Sequence, residues 1–182
     1  MKVYLVGFMG CGKSTIGKIL ARNLSCQFID MDKQLSARQG LSINEIFSRY
    51  GESHFRRLEQ EFLHELASEE TVNAIIATGG GTACNQDNLE LMLKSGIVVY
   101  LKRTRQELLR RLIAGQHSRP LIQNKNPQQI SEFIENTLAI REPFYSRANI
   151  IVDCDHIGDS SAVNVIRMAL EMGHYQQDRK NY

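Results

Sequence analysis

The chain has 182 residues, 42% of them hydrophobic and 23% charged, with a formal net charge of +2. A core of ordinary size is within reach of one domain spanning residues 1–182, and the scattered basic residues on a nearly neutral chain speak against a nucleic-acid footprint. No apolar run approaches the roughly 20 residues that span a bilayer, no secretory leader opens the chain, and neither the cysteines (Cys11, Cys26, Cys84, Cys154) nor the histidines have metal-ligand spacing, so a cytoplasmic protein with reduced thiols and no membrane partner is expected.

Val3-Tyr4-Leu5-Val6 predicts a short strand. Gly7-Phe8-Met9-Gly10-Cys11-Gly12-Lys13-Ser14-Thr15 follows, then a helical pattern with Ile16, Ile19, Leu20 and Leu24 on one face. Strand, glycine-rich turn and helix in that order are the context of a phosphate-binding loop, G-x-x-x-x-G-K-S/T. Gly7, Gly10 and Gly12 permit positive φ and a close approach of backbone to ligand. Successive N–H groups, from Gly10 through Thr15, can then meet a phosphate chain at the positive end of the helix beginning near Lys13. Lys13 supplies a full charge between the β- and γ-phosphates, and the Ser14 hydroxyl is placed for Mg²⁺. Cys11, at a helix N-terminus beside Lys13, is expected to favour its thiolate and to be shielded from alkylation by ATP.

Gln27-Phe28-Ile29-Asp30-Met31-Asp32 reads as a short strand ending in two acids. Ser42 and Glu45 form a capping box. Ile46 and Phe47 lead through a break at Gly51 into a longer helix with Phe55, Leu58, Phe62 and Leu66 on its buried face. Ala74–Thr78 is a buried strand closed by Gly79-Gly80-Gly81, and a helix with Leu89 and Met92 stops near Gly96. Ile97–Leu101 is the next strand, and the helix with Leu108 and Leu112 ends at Gly115. Residues 116–127 are polar and uncapped. A helix begins at Ile130 and must end before Pro143. Asn149–Asp153 is the last strand, Val163, Ile166 and Leu170 give the last helix, and a polar, frayed tail is expected over about 171–182. Continuous apolar strands alternating with helices favour a parallel sheet covered on both faces, with its ligands at the carboxyl ends of the strands.

Asp30 and Asp32, two apart in an extended segment, would face one way beside a triphosphate. Asp30 is assigned to the Mg²⁺ shell, directly or through water, and Asp32 to a substrate hydroxyl as orienter or base. Three successive glycines, Gly79, Gly80 and Gly81, make sense where exposed N–H groups contact a ligand at close range. Arg141 continues the apolar stripe of Ile134 and Leu138, and an inward guanidinium needs a partner such as a carboxylate. Arg56 either pairs simply with Glu59 or is held by it for a ligand anion, and spacing leaves both open. Arg119, in the polar segment before Pro120, suggests a lid at about 116–127 that closes over the transferring phosphoryl group. Lys102, Arg103, Arg110 and Arg111 include solvated helix positions, and either Arg110 or Arg111 could stack on adenine.

Taken in order, Gly7–Thr15, Asp30-Met31-Asp32, Phe55-Arg56-Arg57-Leu58-Glu59, Gly79-Gly80-Gly81, Arg119-Pro120-Leu121 and Arg141-Glu142-Pro143-Phe144-Tyr145 closely resemble the shikimate kinase family. The resemblance implies a P-loop NTPase three-layer α/β sandwich, with a five-stranded parallel sheet in the order 2-3-1-4-5, helices on both faces and a lid. It implies transfer of the ATP γ-phosphoryl group to the 3-hydroxyl of shikimate, a step towards chorismate, by a monomer using Mg²⁺. Carried over by motif, Asp32 contacts the shikimate hydroxyls, Arg56 and Arg141 its carboxylate, and Gly79, Gly80 and Gly81 line the acceptor. Ser14 binds Mg²⁺ with Asp30 in support, and Arg119 is the lid arginine on ATP. The chain departs from the pattern in the length of the segment after Arg119 and in the loop Asp153-Cys154-Asp155-His156, which lacks the arginine often found there. A gluconate-type kinase would share loop and fold, but Arg56, Arg141 and the triple glycine argue against it. A GTPase-like switch fails because Asn124-Lys125-Asn126 is followed by Pro127. A non-catalytic nucleotide-binding regulator is disfavoured by the presence of Asp32, Arg56 and Arg141.

Overall fold

The apolar runs form five parallel strands: β1 (Lys2–Val6), β2 (Gln27–Asp30), β3 (Ala74–Ala77), β4 (Ile97–Lys102) and β5 (Ile150–Asp153). They lie in the order β2-β3-β1-β4-β5, as expected. The computed structural model describes residues 1–116 and 120–178. The register places Tyr4 beside Ile76 on one side and Val98 on the other. Every residue of β1 and β3 is buried, because each has a strand on both sides and helices on both faces. Each fully buried Val, Leu or Ile contributes about 1.5–3 kcal/mol, so this central pair is the most firmly held part of the sheet.

Among the described residues six helices connect the strands, α1 (Lys13–Asn23), α2 (Met31–Gln39), α3 (Ile43–Ser68), α4 (Gln86–Ser95), α5 (Arg105–Ala114) and α6 (Pro127–Tyr145), and α7 (Gly158–Asp178) follows the last strand. Ser42 and Glu45 make both bonds of the expected capping box. Gly51 breaks the α3 helix with φ 81°, a left-handed conformation that glycine adopts without a steric penalty.

Four boundaries differ most from the sequence reading. Met31 and Asp32 belong to the first turn of α2 rather than to β2, because the Asp30 carboxylate accepts from Lys33 N at 3.3 Å and caps a helix there. The α6 helix begins at Pro127, not Ile130, behind a capping box of Asn126 and Gln129. It also runs through Pro143 to Tyr145. Proline removes the partner of the Ala139 carbonyl, but Ala139 and Ile140 are exposed, so water can serve that group. Beyond it, Ser146 N donates to Glu142 O and the Tyr145 hydroxyl to Gly80 O, which hold the last turn in place. The α7 backbone continues to Asp178, past the point where fraying was expected.

In the segment expected as a lid, Pro120–Ile122 form a 3-10 turn and Ile122 is fully buried. Gln116 Nε2 donates to the carbonyls of Ile122 at 2.8 Å and Lys125 at 2.7 Å, tying the two ends of that segment together.

Candidate active site

The loop after β1 has the backbone its glycines foretell, with φ of 139° at Gly7, 82° at Gly10 and 109° at Gly12. A side chain at Gly7 would also collide with the Leu101 carbonyl, 2.9 Å from the position of its Cβ. The helix that follows is set apart by its start. A side chain caps the N-terminus of each of α2, α3, α4, α5 and α6, whereas α1 has none. Its first N–H groups therefore stay available to an anion, with the positive end of the helix dipole behind them.

That helix start opens on a cleft of about 420 Å³ whose lining includes Gly10, Gly12, Lys13, Ser14, Asp30, Asp32 and Gly80. Lys13 Nζ donates to the carbonyls of Gly7 at 2.7 Å and Phe8 at 3.1 Å. Ser14 Oγ donates to Asp30 Oδ2 at 2.8 Å, so the expected magnesium hydroxyl and its supporting carboxylate already touch. Cys11 turns inward instead. Its side chain is buried and 3.8 Å from Lys13 Nζ, so the thiol is shut off from alkylating reagents by packing rather than by a nucleotide.

Asp32 reaches the cleft from a helix, not from an extended strand. Burial pushes its carboxyl up to about 6, the neighbouring Glu59 and Asp30 charges push the same way, and Lys13 and Arg56 oppose them. At neutral pH it is mostly ionised, with a proton affinity suited to accepting a proton from a hydroxyl.

The triple glycine is used for space rather than for unusual dihedral angles, since none of the three has positive φ. A Cβ on Gly79 would lie 2.5 Å from Glu59 Oε1 and 3.1 Å from Asp32 Oδ1. One on Gly81 would lie 2.8 Å from the Arg56 guanidinium, and one on Gly80 3.4 Å from Arg141 Nη1. Asp32, Arg56 and Arg141 thus converge on one bare turn of backbone. Glu59 is 1% exposed and binds both Arg56 Nη1, at 2.8 Å, and the Thr82 hydroxyl. Burial works against the charged form of Arg56, yet Glu59 and Glu52 hold it above its ordinary value. Arg56 does pair with Glu59, a buried carboxylate, while part of its own side chain stays open to solvent. Arg141 makes no ion pair among the described residues; it hydrogen-bonds Tyr145, whose hydroxyl donates to Gly80 O.

Of the two candidate adenine arginines, Arg110 is largely exposed, whereas Arg111 is half-buried and held by Glu107 and Asp159. Arg119 lies outside the described residues. The sequence reading names Glu59 as a partner of Arg56 without placing it in the core, and gives Tyr145 and Arg103 no role. The place of Glu59 was signalled by its spacing, four residues after Phe55 and three before Phe62 on the apolar stripe. Tyr145 stood inside a quoted motif without a role. Arg103, in a basic set expected to include solvated positions, is 4% exposed, and nothing local to it signals that.

Comparison with known proteins points to one family. The family model for shikimate kinase matches residues 9–171. A shikimate kinase of Azobacteroides pseudotrichonymphae genomovar. CFP2 is 47% identical over 150 residues, 82% of this chain and 88% of its own. The crystal structure of shikimate kinase from Bacteroides thetaiotaomicron superposes with a TM-score of 0.87 at 38% identity, covering 94% of this chain and 98% of that one. Shikimate kinase from Acinetobacter baumannii in complex with shikimate gives 0.82 at 34% identity, covering 93% of each chain.

Proposed function

The chain belongs to the shikimate kinase family, and we propose that its cleft binds ATP along the loop from Gly10 to Thr15 and shikimate against the glycine turn. The enzyme transfers the γ-phosphoryl group of ATP to the 3-hydroxyl of shikimate, giving shikimate 3-phosphate and ADP. The observation that supports this assignment of parts is the convergence of Asp32, Arg56 and Arg141 on Gly79–Gly81 beside an uncapped helix start.

The α1 N–H groups and Lys13 hold the phosphates. Lys13 exchanges its loop carbonyls for phosphate oxygens, which offer a full opposite charge. The donor set at Ser14 and Asp30 suits Mg²⁺, which takes one or two protein oxygens and fills its shell with water and phosphate. Mg²⁺, when bound, neutralises charge building on the β- and γ-oxygens. Arg141, with no carboxylate of its own among the described residues, and Arg56, oriented by Glu59 and Glu52, take the shikimate carboxylate in charge-assisted bonds. Gly80 and Gly81 let the acceptor lie directly on backbone. Asp32 holds the 3-hydroxyl in line with the γ-phosphorus. As the oxygen–phosphorus bond forms and the bond to the leaving ADP oxygen breaks, the hydroxyl proton passes to the Asp32 carboxylate. The part given to Arg119, closing over ATP, rests on its motif with Pro120 and Leu121. The same reading takes the enzyme to act as a cytoplasmic monomer that binds neither nucleic acid nor membrane.

A coupled ADP-release assay with shikimate, gluconate and nucleoside monophosphates side by side tests the assignment. Shikimate should exceed the others by at least about a hundredfold in kcat/KM, because buried charges left unpaired penalise the wrong acceptor. Equal turnover with gluconate would overturn it.

A further inference from the structure

Strand β4 lies between β1 and β5. The residue just past its end, Arg103, therefore stands between the phosphate loop and the loop that follows β5. Its side chain is 2% exposed, and a guanidinium so far from water needs its donors occupied. Nε donates to the Cys11 carbonyl at 2.9 Å and Nη1 to the Cys154 carbonyl at 2.7 Å. Nη2 donates to Asp159 Oδ1, and Asp155 Oδ1 lies 3.5 Å from Nη1. One planar fork thus joins the loops of two strands and the first turn of α7.

Two of these bonds bear on the nucleotide cleft, although Arg103 itself is not on its wall. The first concerns the peptide between Cys11 and Gly12. In a trans peptide the C=O and N–H point in opposite directions. Arg103 grips the carbonyl from outside, which turns the Gly12 N–H towards the cleft. The second concerns Asp159, whose Oδ1 also accepts from Arg111 Nη2 at 3.0 Å. Arg111 lines the cleft, and Glu107 holds its Nε at 2.6 Å. Resting on the reading of this cleft as the ATP site, we propose that Arg103 is a positioning residue for the nucleotide. It sets the direction of the Cys11–Gly12 peptide and seats the carboxylate that steadies Arg111. A lysine would keep the charge but could not span two carbonyls and a carboxylate.

The test compares wild type, R103M and R103K in two measurements: ADP affinity by calorimetry, and KM for ATP and for shikimate in the coupled assay. R105A, whose exposed side chain pairs with Glu135, serves as the control expected to match wild type. Both Arg103 variants should raise the ADP Kd and the ATP KM about tenfold or more, near the worth of one hydrogen bond to a charged group, with the shikimate KM held within about twofold. If R103M does not fold, R103K and D159N carry the same expectation. A merely structural Arg103 would lower the melting temperature and the active fraction while leaving ADP affinity and both Michaelis constants unchanged. That result, or an equal rise in both constants, overturns the proposal. A wild-type protein that binds ADP but does not phosphorylate shikimate would overturn the substrate assignment instead, and the ADP affinities would still decide the role of Arg103.

Discussion

Asp32→Asn should make the protein more stable and inactive at once. The carboxyl of Asp32 titrates near 6 in the folded chain against an ordinary 3.8. A folded-state value above the unfolded one means that the folded protein holds this proton more tightly. The associated stability is fully present below about pH 4 and is lost as pH rises through about 6. At about 1.4 kcal/mol per unit, ionised Asp32 costs the ligand-free protein up to about 3 kcal/mol at pH 7 to 8. The amide carries no such charge, and for a chain of this size each kcal/mol moves Tm by about 2–4 °C. Asp32→Asn should therefore melt about 5–10 °C above wild type at pH 7.5. The gap should shrink to near nothing at pH 4. The assay is thermal unfolding in EDTA without nucleotide, at intervals from pH 4 to 8, with the wild-type-to-variant difference as the readout and ADP release measured in parallel. A variant melting at or below wild type at pH 7.5, or a gap indifferent to pH, would refute the idea that the acid is held against its own charge. Turnover retained in the variant would refute its place in proton transfer.

Lys13→Met should lower kcat by at least about 10²–10³ with melting little changed, because Nζ meets just its own loop among the described residues, the carbonyls of Gly7 and Phe8 and the Cys11 sulfur; an active, folded variant would contradict the loop assignment. Arg141→Ala should raise the shikimate KM about ten- to a hundredfold, the range of a lost charge-assisted bond, with the ATP KM little altered. Equal losses would remove Arg141 from the acceptor side. Gly81→Ala adds a Cβ 2.8 Å from the Arg56 guanidinium at a φ of −101° that any residue accepts. It should raise the shikimate KM with little change in Tm, whereas Gly79→Ala, aimed at buried Glu59, should lower both activity and Tm.

The sequence disclosed most where the physics is local. The phosphate loop, the Ser42–Glu45 box and the break at Gly51 are each set within a few residues, and each stands as read. The sheet order came from resemblance and holds. What stayed hidden depends on partners far along the chain. Arg103 is buried because acceptors 92, 51 and 56 residues away enclose it. Glu59 can sit in the core because Thr82, 23 residues on, supplies a second donor beside Arg56. Asp32 was read as strand because Asp30 can end one element and cap the next, and pattern alone does not say which side of that boundary Met31 joins. The Pro143 rule failed because it treats a lost hydrogen bond as fatal wherever it falls; near an exposed helix end, solvent can reach the freed carbonyl.

The two arginines proposed for the acceptor differ in a way that spacing could not reveal. Arg56 already has two carboxylates, one exposed at Glu52 and one buried at Glu59. An arriving carboxylate must share that guanidinium with them, so its net gain there is small and the pair chiefly fixes geometry. Arg141 has no acid opposite it among the described residues, and its contact with Tyr145 is to a neutral hydroxyl. Most of the attraction for a small anion therefore comes from Arg141. The charges of Asp30, Asp32 and Glu59 act together near Gly79, where a Cβ would approach Glu59 and Asp32, whereas Arg141 is the near neighbour of Gly80. An anion seated at Arg141 would keep its charge away from them and leave its hydroxyl end beside Asp32. The bare backbone of Gly79–Gly81 makes this separation possible, since a Cβ at Gly79 would strike Glu59 and one at Gly81 would displace Arg56.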